Sequence, residues 1–127
     1  MSFVQVRRQS AGPVLLSLED HGRGDPVVLV HGSPLSGGAW EKQQAALLSF
    51  GHRVITYDRR GFGASSRTSD GYDYDTFAAD LDAILRHLDV RDATLVGAST
   101  GTGDVVRYLG IHGSDRVARA VLLAPLP

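Results

Sequence analysis

Residues 95–101, Leu95-Val96-Gly97-Ala98-Ser99-Thr100-Gly101, finish an apolar run with a serine flanked by two glycines. The spacing Gly-x-Ser-x-Gly suits nucleophilic chemistry. On a turn too tight for neighbouring side chains, kept clear by Gly97 and Gly101, a serine hydroxyl stands free to attack an electrophilic carbon. At the junction of a strand and a helix it also sits beside a helix N-terminus, where developing negative charge is favoured. Attack on a carbonyl builds a tetrahedral oxyanion, usually held by two backbone N–H groups. Thr100, the residue after Ser99, would supply one. The loop His31-Gly32-Ser33-Pro34 closes a second apolar run and would supply the other. Pro34 has no N–H, so Ser33 is the donor expected there.

Plainer readings compete at each position. Ser99 could be an ordinary small turn residue, but the His31-Gly32 loop in register with it argues otherwise. His21, His52, His87 and His112 read as turn or helix-surface residues. Asp58 reads as the anchor of the glycine-rich loop from Arg60 to Ser65, not as an acid catalyst. Trp40 either lines an acyl pocket or packs the helix that follows it; the sequence leaves both open. Gly97, Gly101 and Gly103 also fit a dinucleotide-binding glycine pattern. That pattern belongs after a first strand and needs an acidic residue ending the next one. Here four strands precede it, and Val121 to Ala124 is wholly apolar.

The positioning elements follow from pattern. Two strand-like stretches, Phe3 to Arg8 and Val14 to Glu19, are separated by Gly12-Pro13, and a turn is expected from Asp20 to Asp25. Pro26 to Val30 is a continuous apolar run, as in a strand buried on both faces. A helix is expected from Ala39 to Phe50, stopped by Gly51, then a strand from His52 to Tyr57. Phe77, Leu81, Ile84, Leu85 and Leu88 fall on one helical face, placing a helix over Asp75 to Leu88. Ala93 to Val96 and Arg119 to Ala124 read as strands, with Asp104 to Gly110 in a helix between them. The alternation implies an α/β fold, a mostly parallel sheet with helices on both faces.

Composition sets the outer limits. A chain of 127 residues with 43% hydrophobic and 21% charged residues can bury one globular core. A net charge of −1 gives no reason to expect nucleic acid or an anionic membrane as partner. The absence of cysteine excludes disulfides and thiolate metal sites. No apolar run approaches a membrane span, and the first residues lack a signal-peptide core, so a cytoplasmic protein is the default expectation.

Together these motifs resemble the α/β-hydrolase family along the whole chain. Tyr57-Asp58-Arg59-Arg60-Gly61-Phe62-Gly63-Ala64-Ser65 is similar to its D-x-R-G-x-G-x-S loop, and residues 71–81 are similar to the start of its next helix. Within the family, the His31-Gly32-Ser33-Pro34-Leu35-Ser36 opening, Trp40-Glu41 and Gly101-Thr102-Gly103 resemble the cofactor-free haloperoxidases and aryl esterases (perhydrolases). That group suggests Phe-Ser-Met at the elbow; here it is Ala98-Ser99-Thr100, which alters the cavity wall.

The resemblance implies a three-layer αβα core with strand order 1-2-4-3-5-6. It implies hydrolysis or perhydrolysis of a small ester or acyl substrate through a seryl acyl-enzyme, with no metal or organic cofactor. His31 would be structural, bonding its own loop. In the family the catalytic acid follows the sixth or seventh strand and the histidine the eighth, whereas this sequence ends just past the sixth. Residues 1–127 therefore read as the N-terminal part of one hydrolase domain, truncated before the cap, the acid and the histidine. Two outcomes are expected to compete: weak Ser99-dependent esterase activity, or a non-catalytic half-domain. In either case a homodimer through the exposed sixth strand is expected.

Overall fold

A computed structural model describes residues 2–9, 12–33, 35–68 and 72–123. Six strands form one sheet: β1 (Ser2–Gln9), β2 (Gly12–His21), β3 (Pro26–Val30), β4 (Arg53–Tyr57), β5 (Ala93–Ala98) and β6 (Val117–Leu123). Three α-helices connect the later strands: α1 (Glu41–Ser49), α2 (Tyr74–His87) and α3 (Gly101–His112). The strand order is β1-β2-β4-β3-β5-β6, the order expected from the family resemblance. β1 and β2 pair antiparallel, β2 meets β4 antiparallel, and the remaining pairs are parallel.

β3 shows why its sequence is apolar throughout. It lies between β4 and β5, so both its edges are paired. Val28 and Val30 face one side, in the main core with Leu81, Ile84 and Leu85 of α2 and Val105 and Tyr108 of α3. Val27 and Leu29 face the other, packed with Trp40 and Val54 and with half-buried Leu47 and Leu48 of α1. A strand with helices on both faces has no side on which a polar residue could reach water. α2 begins where Asp73 accepts the Thr76 N–H at 2.8 Å, an N-cap bond that ends the loop before it.

Several boundaries differ from the pattern-based reading. Asp20 and His21, expected in a turn, continue β2 opposite Ile55 and Val54 of β4. Asp20 there takes a two-pronged bond from Arg53, at 2.9 and 2.7 Å. The helix expected from Ala39 is preceded by a 3-10 turn over Gly37–Trp40, and its α-helical part begins only at Glu41. β5 runs two residues further than expected, because Gly97 and Ala98 still pair with Leu122 and Leu123. α3 spans Gly101–His112 and so extends beyond both ends of the Asp104 to Gly110 stretch expected in a helix; two glycines in its first turn weaken propensity there. β6 starts at Val117, and Ala124, the expected end of that strand, lies outside the described residues. Among the described residues no helix is long and apolar enough to cross a membrane.

Candidate active site

β5 carries Gly97 and Ala98 to the sheet's C-terminal edge and α3 starts at Gly101, so Ser99 occupies the junction. Its φ is +52°, a left-handed conformation that costs a residue with a side chain roughly 1–3 kcal/mol. Neighbouring bonds hold it there. The Ser99 N–H donates to the Leu123 carbonyl at 3.0 Å, and the Ser99 carbonyl accepts the Thr102 N–H at 3.1 Å. The Thr102 hydroxyl donates to that same carbonyl at 2.7 Å. The Ser99 hydroxyl itself bonds to no other described residue.

Glycine is required around this turn by close backbone approach. A Cβ on Gly101 would stand 2.5 Å from the Val30 carbonyl oxygen and 2.7 Å from that of His31. A Cβ on Gly97 would stand 2.8 Å from the Gly101 oxygen, and one on Gly32 would stand 2.9 Å from Cβ of Ser99. The end of β3 is therefore pressed against the start of α3, and the His31-Gly32 loop lies directly beside Ser99.

His31 is buried and both its ring nitrogens are engaged. Nδ1 lies 2.8 Å from the Gly32 carbonyl, and Nε2 accepts the Arg59 N–H at 2.9 Å. That pattern fixes the neutral tautomer with its proton on Nδ1. Burial lowers the pKa further below the ordinary histidine range, ahead of the opposing bond to Gly32. A ring so occupied ties its own loop to the β4 end and has no nitrogen left to take a proton from Ser99.

Ser33 and Thr100, the expected oxyanion donors, are brought into contact. The Ser33 N–H donates to Oγ1 of Thr100 at 2.8 Å. Arg59 Nη1 donates to the same oxygen at 3.1 Å. The Ser33 N–H is thus engaged by a side chain, and Pro34 lies outside the described residues.

Behind this pair lies chemistry that sequence reading missed. Arg59 is buried and grips Asp104 of α3 with two bonds, at 2.7 and 2.9 Å. Its guanidinium carbon also stands 4.4 Å from the centre of the Phe77 ring. Arg60 makes an equivalent buried pair with Asp80 of α2, at 3.0 and 2.9 Å. A signal existed: Asp80 interrupts the apolar stripe of α2, and Asp104 sits beside apolar Val105, so each needed a buried cation. Asp58 accepts N–H bonds from Gly37 at 2.7 Å and Ala64 at 2.9 Å, joining the glycine-rich loop to the 3-10 turn.

Burial pushes Asp104 up to about 6, against the pull of Arg59. The folded-state pKa is raised, so folding binds a proton that the unfolded chain has released between about pH 4 and 6. The stabilisation from that proton is full below about pH 4 and is lost as pH rises through about 6. Wild-type stability relative to Asp104→Asn should therefore fall by on the order of 1–3 kcal/mol between pH 4 and pH 7. Urea titrations of both proteins at the two pH values measure this; a difference independent of pH would show that Asp104 stays ionised throughout.

Two cavities flank the elbow, and Ser99 lines neither. One, of about 260 Å³, is walled by Ser33, Arg59, Thr100 and the rings of Phe62, Tyr72, Tyr74 and Phe77. The other, of about 110 Å³, is bounded by His31, Gly32, Leu35, Trp40 and Ala98. Trp40 packs with Val27, Leu29 and Val54 and with Leu47 and Leu48 of the helix that follows it, and it also walls the smaller cavity.

A sequence profile described as "alpha/beta hydrolase fold" matches residues 25–127. The chain belongs to the α/β-hydrolase family. A curated Synechocystis sp. protein, provisionally named a non-heme chloroperoxidase, is 57% identical over all 127 residues, which make up 46% of its length. The crystal structure of a bromoperoxidase from Bacillus anthracis superposes with a TM-score of 0.92 at 48% identity, covering 99% of this chain and 45% of that one. An esterase from Exiguobacterium antarcticum gives 0.91 at 36% identity, covering 98% and 45%. This α/β-hydrolase chain therefore spans less than half the length of the relatives it matches.

Proposed function

We propose that Ser99 is the nucleophile of a serine hydrolase acting on small carboxylic esters or activated acyl compounds. The observation that carries the reading is Ser99 itself: a positive-φ serine at a strand–helix junction, cleared by Gly32, Gly97 and Gly101, with its hydroxyl unbonded. In the reaction, Ser99 Oγ bonds to the acyl carbon and its proton passes to a base. The resulting oxyanion is held beside Ser33 and Thr100, the alcohol leaves with a proton, and an acyl-enzyme remains. Water then releases the acid; hydrogen peroxide would release a peracid instead. No step calls for a metal or an organic cofactor. The haloperoxidase and esterase names of the relatives support this substrate class.

His31 is occupied by its own loop, so the base must come from outside the described site. The chain by itself should hydrolyse aryl acetates slowly at best, because nucleophile and oxyanion hole without a base give only residual catalysis. Ser99→Ala should reduce whatever rate is seen to the uncatalysed background. If release of 4-nitrophenol proceeds at the full rate in that variant, another group is responsible and the reading fails.

A second reading, a self-associating and non-catalytic unit, is favoured by β6. Among the described residues this strand is paired only with β5, and Val121, Leu122 and Leu123 are 39%, 40% and 44% exposed. Unpaired N–H and C=O groups on an apolar strand template pairing with another chain, and a two-fold arrangement closes the contact. A homodimer through β6 is expected at micromolar concentration, and Leu122→Lys should yield monomer or insoluble protein. Light scattering that finds a stable monomer of the unmodified chain would refute it.

A further inference from the structure

The proton of the Thr100 hydroxyl has one role left to it. A threonine oxygen offers two lone pairs and a single proton. Ser33 N–H at 2.8 Å and Arg59 Nη1 at 3.1 Å occupy both lone pairs. Although Thr100 stands at the N-cap of α3, its side chain makes no capping bond. No described residue accepts its proton. With its oxygen fully used as an acceptor, the hydroxyl can act only as a donor, and it borders the aromatic-walled cavity together with Ser33 and Arg59.

Resting on the seryl reading above, we propose that the Thr100 hydroxyl is an oxyanion-hole donor, working beside the Thr100 N–H and in front of the engaged Ser33 N–H. The Ser33 N–H then reaches the substrate oxygen through the hydroxyl that it polarises. Arg59 strengthens the same effect, since accepting a bond from a cation makes an O–H a better donor. Asp104 holds the guanidinium in place from behind, with both carboxylate oxygens. The arrangement favours a tetrahedral, negatively charged oxygen over a planar carbonyl, since the donor is fixed before charge develops. A side chain without a hydroxyl at this position would remove this donor from the hole, so Thr100 sets its donor strength.

The test is binding of phenylboronic acid, chosen because it does not require turnover. Ser99 Oγ adds to the trigonal boron, a B–O bond forms, the serine proton passes to buffer, and the product is a tetrahedral boronate anion. Boron NMR reads the tetrahedral adduct and gives its affinity for wild type, Ser99→Ala, Thr100→Val and Thr100→Ser. Thr100→Ala replaces the valine variant if that one does not fold. The adduct is expected to require Ser99, to weaken about tenfold or more in Thr100→Val, and to stay within about threefold of wild type in Thr100→Ser. A Ser99-dependent adduct equally tight in Thr100→Val, or equally weakened in Thr100→Ser, overturns the Thr100 assignment and leaves the seryl reading standing. An adduct indifferent to Ser99→Ala, or none in wild type at millimolar boronate, overturns the seryl reading and the assignment with it.

Discussion

Co-expressing this chain with the part of the Synechocystis relative that it does not match should raise aryl-ester hydrolysis by on the order of 10⁴-fold over either piece alone. Ser99 is raised at its junction with an unbonded hydroxyl, but no described residue near it can accept its proton. His31, the adjacent histidine, spends both nitrogens on Gly32 and Arg59. A serine hydroxyl is a weak nucleophile at neutral pH until a base takes its proton. The matched relative is more than twice as long, and this chain covers 46% of it at 57% identity. The seryl reading proposed above expects the base, and the group that orients it, in that uncovered part. β6, with one edge unpaired among the described residues and its apolar residues exposed, offers a surface on which that part can assemble. The gain should vanish with Ser99→Ala in the mixture. A stoichiometric, folded complex that is no faster than its parts would mean Ser99 is not poised for attack.

Two glycines of the same helix should respond to alanine in opposite directions. Gly101 is buried against the end of β3, and an added methyl would meet the Val30 and His31 carbonyl oxygens at 2.5 and 2.7 Å. Both atoms belong to backbone, so relief requires moving α3 away from the sheet. Gly101→Ala should cost roughly 3 kcal/mol, a urea midpoint lower by about 1 M or more. Gly110, in the last turns of α3, has nothing within 4 Å of an added Cβ. Gly110→Ala should stabilise by about 0.5–1 kcal/mol through helix propensity alone. Equal effects of the two substitutions would mean that the contact between the elbow and the His31 loop is looser than described.

Much of this was legible in order along the chain. The strand order, the strand–turn–helix setting of Ser99 and the two-sided burial of Pro26 to Val30 follow from local patterns and family resemblance. The strand order is what the family resemblance implies; the other two rest on residues close in sequence, where spacing maps directly onto geometry. Element ends were less legible. Asp20 and His21 look like turn residues, yet they extend β2 because β4 supplies partners for their backbone. Gly101 and Gly103 are poor helix formers by propensity, yet they begin α3 because only glycine fits so near β3 and the Tyr74 ring.

The sequence by itself determined the α/β core, the strand–helix junction that carries Ser99 and the loops beside it, because each is written in short, contiguous patterns. Only the tertiary structure decided what stands behind them. Arg59 and Asp104 are 45 residues apart, and Ser33 and Thr100 are 67 apart. Nothing in local spacing couples such pairs. They meet because parallel pairing of β3 with β4 and β5 brings the C-terminal ends of three strands to one edge. There a buried guanidinium must find a carboxylate, and a threonine hydroxyl finds the N–H across the gap.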